Sequence, residues 1–170
     1  MTKTASVLKP VAHETQIDIG LDPAYLEAMS ETLSNILAVT YRLTIKSHLY
    51  HWNVVGPLFR PLHELTEEHY NALFKATDII AERIRALGYL APVDVSDASV
   101  FAPKGGSVKH FSANEMVKDL IADHESAVRS ARKAAGAAGD AGDVASEDML
   151  TERLAFHEKA LWMLRAIIAE

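Results

Sequence analysis

Between residues 22 and 56, apolar or small side chains recur at Leu26, Met29, Leu33, Ile36, Leu37, Thr40 and Leu43. This three-and-four spacing marks one face of an α-helix. Asp22-Pro23 opens the run, with the Asp side chain free to cap and Pro suited to the first helical position. Gly56-Pro57 closes it, which predicts a helix of about 30 residues, roughly 45–50 Å long. A second stripe, Leu62, Leu65, Ala72, Leu73, Ala76, Ile79, Ile80 and Leu87, starts at Pro61 and stops at Gly88. Ser112-Ala-Asn-Glu115 reads as a capping box, with Phe111 and Met116 at hydrophobic-staple spacing. The helix it opens carries Met116, Leu120, Ala127, Ala131 and Ala134 and is expected to dissolve over Gly136 to Gly142. Ser146 is the expected cap of a fourth helix, with Glu147 and Asp148 at the positive end of its dipole. Leu150, Leu154, His157, Leu161, Leu164 and Ile168 carry that stripe almost to the end.

Four helices without a strand signal predict an all-α four-helix bundle. From Tyr89 to Phe111 the periodicity fails, broken by two prolines and Gly105-Gly106. Most connections take about 4–6 residues, so one this long implies a crossover spanning a bundle whose second and third helices run parallel. Residues 1–20 read as a flexible N-terminal tail and residues 21–170 as the bundle, with no internal repeat.

Composition narrows the chemistry. A chain of 170 residues with 49% apolar side chains is one domain with a real core. Cysteine is absent, which excludes disulfides, thiolate metal sites and Cys nucleophiles. No apolar run reaches the roughly 18 residues that span a bilayer. Met1 to Ala12 lacks the apolar stretch of a signal peptide, so the expected location is the cytoplasm, with the bacterial nucleoid as the alternative. A net charge of −6 argues against a body that grips nucleic acid.

The residues suited to metal chemistry lie on the first two helices. His51 ends the first; His63 and Glu67 form an i,i+4 pair on the second, and Asp78 and Glu82 form another. Residues four apart share a helix face, and imidazole with carboxylate suits iron or zinc. At about 100° per residue, His63, Glu67, Phe74, Asp78 and Glu82 fall roughly opposite the core stripe of the second helix. The two pairs are about 15 residues apart, roughly 22 Å along the axis, so no single centre within one chain can use both. A second copy packed antiparallel across a two-fold axis would bring His63 and Glu67 to a partner's Asp78 and Glu82, creating two equivalent sites. The competing reading is a solvated carboxylate-rich face. An intra-bundle di-iron centre is not expected, because no histidine has a glutamate three residues before it.

The run Lys46-Ser-His-Leu-Tyr-His51-Trp52-Asn-Val-Val-Gly56-Pro-Leu-Phe59, then His63 and Glu67, then Asp78-Ile-Ile-Ala-Glu82-Arg83, resembles the Dps family of miniferritins. Ser112-Ala-Asn-Glu115-Met116 and His157-Glu-Lys-Ala-Leu-Trp162-Met163-Leu164-Arg165 are similar to the same family. The resemblance covers the chain from about residue 21 to its end. It implies a ferritin-like bundle assembled as a hollow homododecamer without membrane association. Such a cage oxidises Fe(II), preferably with hydrogen peroxide, stores the ferric product and protects DNA. It also implies that His51, His63 and Glu67 of one subunit and Asp78 and Glu82 of its partner bind the iron, with zinc as a competitor. Glu67 stands where many members have Asp. Trp52 has two readings, a redox-active ring or an interface contact, and His48 has two, an extension of the site or a polar helix-end residue. Asp143, Asp148 and Glu152 are candidates for an acidic iron-entry pore at a three-fold axis. For Glu152, helix-start electrostatics and solvation are the stronger alternative. The rival function is a DNA-compacting nucleoid protein. Only Lys3 and Lys9 precede the first helix, however, against Glu14, Asp18 and Asp22, so DNA binding is expected to be weak or absent.

Overall fold

The computed structural model describes residues 12–92 and 112–169. Four α-helices account for nearly all of them: α1 (Pro23–Asn53), α2 (Phe59–Ala86), α3 (Ala113–Ala141) and α4 (Val144–Ile167). Among the described residues there is no strand. The predicted crossover falls mostly on 93–111 and lies outside the described residues.

Local chemistry sets most of the boundaries. The Asp22 carboxylate accepts from the N–H groups of Ala24 and Tyr25, and Pro23 occupies the first helical position. The Ser112 hydroxyl accepts from Glu115 N–H while the Glu115 carboxylate accepts from Ser112 N–H, the reciprocal arrangement expected. α2 begins at Phe59, two residues before the predicted Pro61. Proline in a first helical turn breaks no bond, because those N–H groups have no intrahelical partner.

Two expectations at the α3–α4 junction are corrected. α3 does not dissolve at Gly136 but continues through Gly139 to Ala141, and ends where Gly142 turns left-handed at φ 76°. Glycine inside a helix costs only about 0.5–1 kcal/mol relative to alanine, and buried Ala131, Ala134, Ala135 and Ala138 anchor this stretch. The cap of α4 is Asp143, not Ser146; its carboxylate accepts from the Ser146 N–H at 3.0 Å.

α1 packs chiefly on α2 and α3 on α4, with the two hairpins meeting mainly through α1 and α3. One apolar cluster joins Leu26, Met29, Leu33 and Leu37 to Ile80, Ile84, Ala134, Ala138 and Leu150. The other joins Leu43, Tyr50 and Val54 to Leu62, Leu65, Met116, Leu120 and Leu164. The start of α3 therefore lies with the start of α2, and their ends lie together. The two helices run parallel, as the long crossover requires.

Side-chain networks tie the ends. Asp143, buried, takes Arg83 Nη2 at 2.6 Å and the Tyr25 hydroxyl at 2.9 Å, joining α1, α2 and α4. Near the other end, Lys46 reaches Asp119 and Asp123 of α3 at 2.8 and 2.5 Å, and the Tyr50 hydroxyl donates to Asp119. Of the predicted tail, residues 1–11 lie outside the described residues. Thr15 N–H donates to Gly88 O at 2.8 Å, so the stretch next to α1 lies against the end of α2.

Candidate metal centre

His51 sits in the last turn of α1 and His63 in the first turns of α2, brought together by the short connection through Gly56. Gly56 has φ 86°, a conformation that costs glycine nothing and strains any residue with a Cβ. The two imidazoles stack at 3.8 Å between centroids, 16° from parallel. Each hydrogen-bonds to the other's backbone: His51 Nδ1 to His63 O at 2.9 Å, and His63 Nδ1 to His51 O at 2.8 Å. A carbonyl only accepts, so both Nδ1 atoms carry the proton. In the neutral rings the lone pair is then at Nε2. This is the arrangement that metal-binding histidines use to fix tautomer and ring orientation.

Aromatic rings extend from this pair. Tyr70 meets His51 edge-on at 5.4 Å and stacks on His48 at 4.3 Å; His48 in turn lies 4.0 Å from Trp52. Phe59 stacks on His63 at 5.0 Å. Trp52 itself is 61% exposed.

Glu67, Asp78 and Glu82 are exposed on the outer face of α2, as the helical phase predicts, and their carboxylates have no partner among the described residues. Phe74 stands on the same side, 63% exposed, whereas Ile79, 41% exposed, lies on the flank toward α4. Ile79 was expected in the core; the buried stripe instead runs Leu62, Leu65, His69, Leu73, Ala76, Ile80 and Ile84. Among the described residues, no group of three His, Asp or Glu side chains within this chain comes together to hold a metal ion. The structure thus brings His51 and His63 together and leaves the Asp78–Glu82 pair elsewhere on α2.

The ferritin-like domain family matches residues 30–170. A low temperature-induced protein of Nostoc sp. is 39% identical over 158 residues, covering 90% of this chain and 87% of its own. DNA protection during starvation protein 1 of Deinococcus radiodurans is 32% identical, covering 87% of this chain and 72% of its own. The chain belongs to the Dps family of the ferritin-like superfamily. The crystal structure of the Vibrio cholerae Dps protein, described as a member of a broad superfamily of ferritin-like diiron-carboxylate proteins, superposes on this one with a TM-score of 0.81. It is 26% identical, covering 94% of this chain and 100% of that one.

In this Dps protein the three pore candidates differ in environment. Asp143 is 3% exposed, and its carboxylate is engaged by Arg83, Tyr25 and Ser146. Asp148 is exposed; Glu152 is exposed and pairs with Arg153 at 3.1 Å. No helix among the described residues is long and apolar enough to cross a membrane.

Sequence reasoning found the five candidate donors but not the exchange of histidine and carbonyl between two helix ends, which needs the turn geometry. It also passed over His69 and His124, both buried. Helical phase could have found His124, four residues after Leu120 and three before Ala127 on the core stripe.

Proposed function

We propose that this Dps protein is a ferroxidase and iron store that keeps Fe(II) and peroxide from damaging DNA. The reading rests on one observation. Two histidines from different helices lock each other's Nδ1 onto backbone carbonyls, leaving Nε2 of each as the available donor. Both rings are half-buried, so the two bonds also tie the end of α1 to the start of α2, and they leave each Nε2 free to face a ligand.

In this reading two copies pack across a two-fold axis. His51, His63 and Glu67 of one copy face Asp78 and Glu82 of the other, and six such dimers close a hollow homododecamer. The exposed Phe74 lies on the face that this contact would cover. Neutral imidazoles hold Fe(II) without cancelling its charge, and carboxylates stabilise the extra charge of Fe(III), which favours electron loss. With hydrogen peroxide as the preferred oxidant over dioxygen, two Fe(II) each give up one electron. The O–O bond breaks, and two protons complete two waters. Both reagents of hydroxyl-radical chemistry disappear together, and DNA is protected without being gripped; a net charge of −6 per chain supports weak or absent DNA binding. Zinc, which favours the same nitrogen and oxygen donors, would compete for the site.

The test is anaerobic Fe(II) loading followed by hydrogen peroxide, reading ferric absorbance and the iron that stays soluble with the protein. The wild type is expected to oxidise iron quickly and keep it soluble. The Asp78→Ala/Glu82→Ala variant should keep its assembly and oxidise iron at a rate near that of free solution. Equal rates in the two proteins would return these carboxylates to the role of solvated surface.

A further inference from the structure

Away from the outer face of α2, His69 of α2, His124 of α3 and His157 of α4 meet in the bundle interior, all at most 5% exposed. His69 and His124 have ring centroids 5.3 Å apart, and His124 and His157 5.1 Å. His124 Nδ1 lies 2.9 Å from His157 Nδ1, which requires one hydrogen between the two nitrogens. In α3 and α4 these residues fall where one apolar cluster gives way to the other.

Among the described residues, no carboxylate contacts these three rings. On α3, Asp123 is held by Lys46 and Glu125 by Arg165. On α4, Arg153 is largely buried one turn from His157; its Nη2 pairs with the exposed Glu152, its Nε has no partner, and Lys159 acts on His69. From α1, Ile36, Val39 and Thr40 line a cavity of about 10 Å³ beside His157 and Arg153, and none of them ionises. From α2 the facing titratable group is His69. These surroundings disfavour a bound cation.

We propose that the His124–His157 contact is an acid-sensitive latch in the bundle core. With one hydrogen between the rings it joins α3 to α4, and with a second it forces them apart. The first added proton leaves His124 as an imidazolium whose Nε2–H is buried without an acceptor; if it lands on His157 it stands beside Arg153. The second places two N–H groups head to head at 2.9 Å, and the contact cannot survive. Burial pushes His124 down to about 2, helped by the neighbouring His157 and His69. Burial and the charge of Arg153 push His157 down to about 4. A histidine lowered in the folded state stabilises fully above its ordinary value near 6.5 and loses that contribution as pH falls from there toward 4. Acidification of the surroundings would thus loosen the subunit from its centre, independently of any iron at the outer face.

The experiment is denaturant unfolding of the full-length protein at fixed concentration between pH 8 and 4.5, for the wild type and for His124→Asn/His157→Asn. Each such histidine raises the unfolding constant about tenfold per pH unit below 6.5, so the pair contributes about a hundredfold. The double variant is expected to lose that part of the dependence; an unchanged slope would overturn the latch. Hydrogen exchange of the wild type at pH 7 and pH 5 needs no variant. After correction for intrinsic rates, peptides around residues 124 and 157 should lose at least tenfold protection at pH 5, and full retention would overturn the proposal equally.

Discussion

Asp143→Ala should be among the most destabilising single substitutions in this protein, because one buried carboxylate meets three needs. It caps α4 through the Ser146 N–H, neutralises Arg83 and accepts from Tyr25. The Asp143 side chain is 2% exposed and that of Arg83 17%, so the ion pair is shielded from solvent screening. Removing one partner of such a pair leaves a buried charge without compensation, at a cost of about 3–5 kcal/mol; the lost cap contributes about 1 kcal/mol of comparable origin. For a chain of this size that corresponds to a fall in Tm of roughly 10 °C or more. Asp143→Asn keeps the geometry of the cap but not the charge, and should lose less. Urea unfolding at fixed protein concentration and pH 7 measures both. A loss below about 1 kcal/mol for Asp143→Ala would refute the reasoning, since it would mean that water already reaches Arg83. The pH dependence has a definite sign. Burial alone would raise the Asp143 carboxyl, but hydrogen bonds from Ser146, Arg83 and Tyr25 outweigh it and hold the group below its ordinary value. Its contribution is therefore complete above about pH 4 and lost as pH falls below that. This window opens where that of His157 closes, near pH 4, and overlaps only the lower part of that of His124.

Two further outcomes are expected. Asp148→Asn, at an exposed position on the first turns of α4, should leave stability within about 0.5 kcal/mol. If acidic residues guide cations inward, it should slow iron uptake by a factor of about 2–5 at low salt, with the difference vanishing at high salt; stopped-flow uptake at two ionic strengths checks it. Gly88→Ala places a Cβ 2.5 Å from Thr15 O in a backbone with φ 96°. It should cost about 1–3 kcal/mol and release the stretch around Thr15, read as faster exchange of the Thr15 amide.

Much of this molecule is legible in its apolar pattern. Asp22, the Ser112–Glu115 box and Gly88 each carry a local stereochemical reason that tertiary structure has no cause to override. The α3–α4 junction departs from its local pattern for the opposite reason. Glycines at 136 and 139 weaken a helix only slightly, whereas the alanines around them pack against α1 and α4, and packing decides. Asp143 shows how a charge read as pore-lining acquires a different environment once Arg83, 60 residues away in sequence, folds beside it. Of the five candidate donors, helical phase sets His63, Glu67, Asp78 and Glu82 on the outer face of α2, whereas His51 of α1 is placed by the family resemblance alone. What spacing could not supply was the tautomer of His51 and His63, since that depends on where two backbone carbonyls stand after the chain has turned at Gly56.

The central claim is that each iron site is shared between two copies of this chain, and mixing two inactive variants tests it most directly. One variant carries His51→Ala/His63→Ala and the other Asp78→Ala/Glu82→Ala; each alone should oxidise Fe(II) no faster than free solution. Dissociated and reassembled in equal amounts, half of the two-fold pairs would be mixed, and each mixed pair would hold one intact site and one doubly broken site. Roughly a quarter of the wild-type sites should return, and with them about a quarter of the peroxide-driven oxidation rate. A mixture that co-assembles and stays as inactive as its components would contradict the shared site.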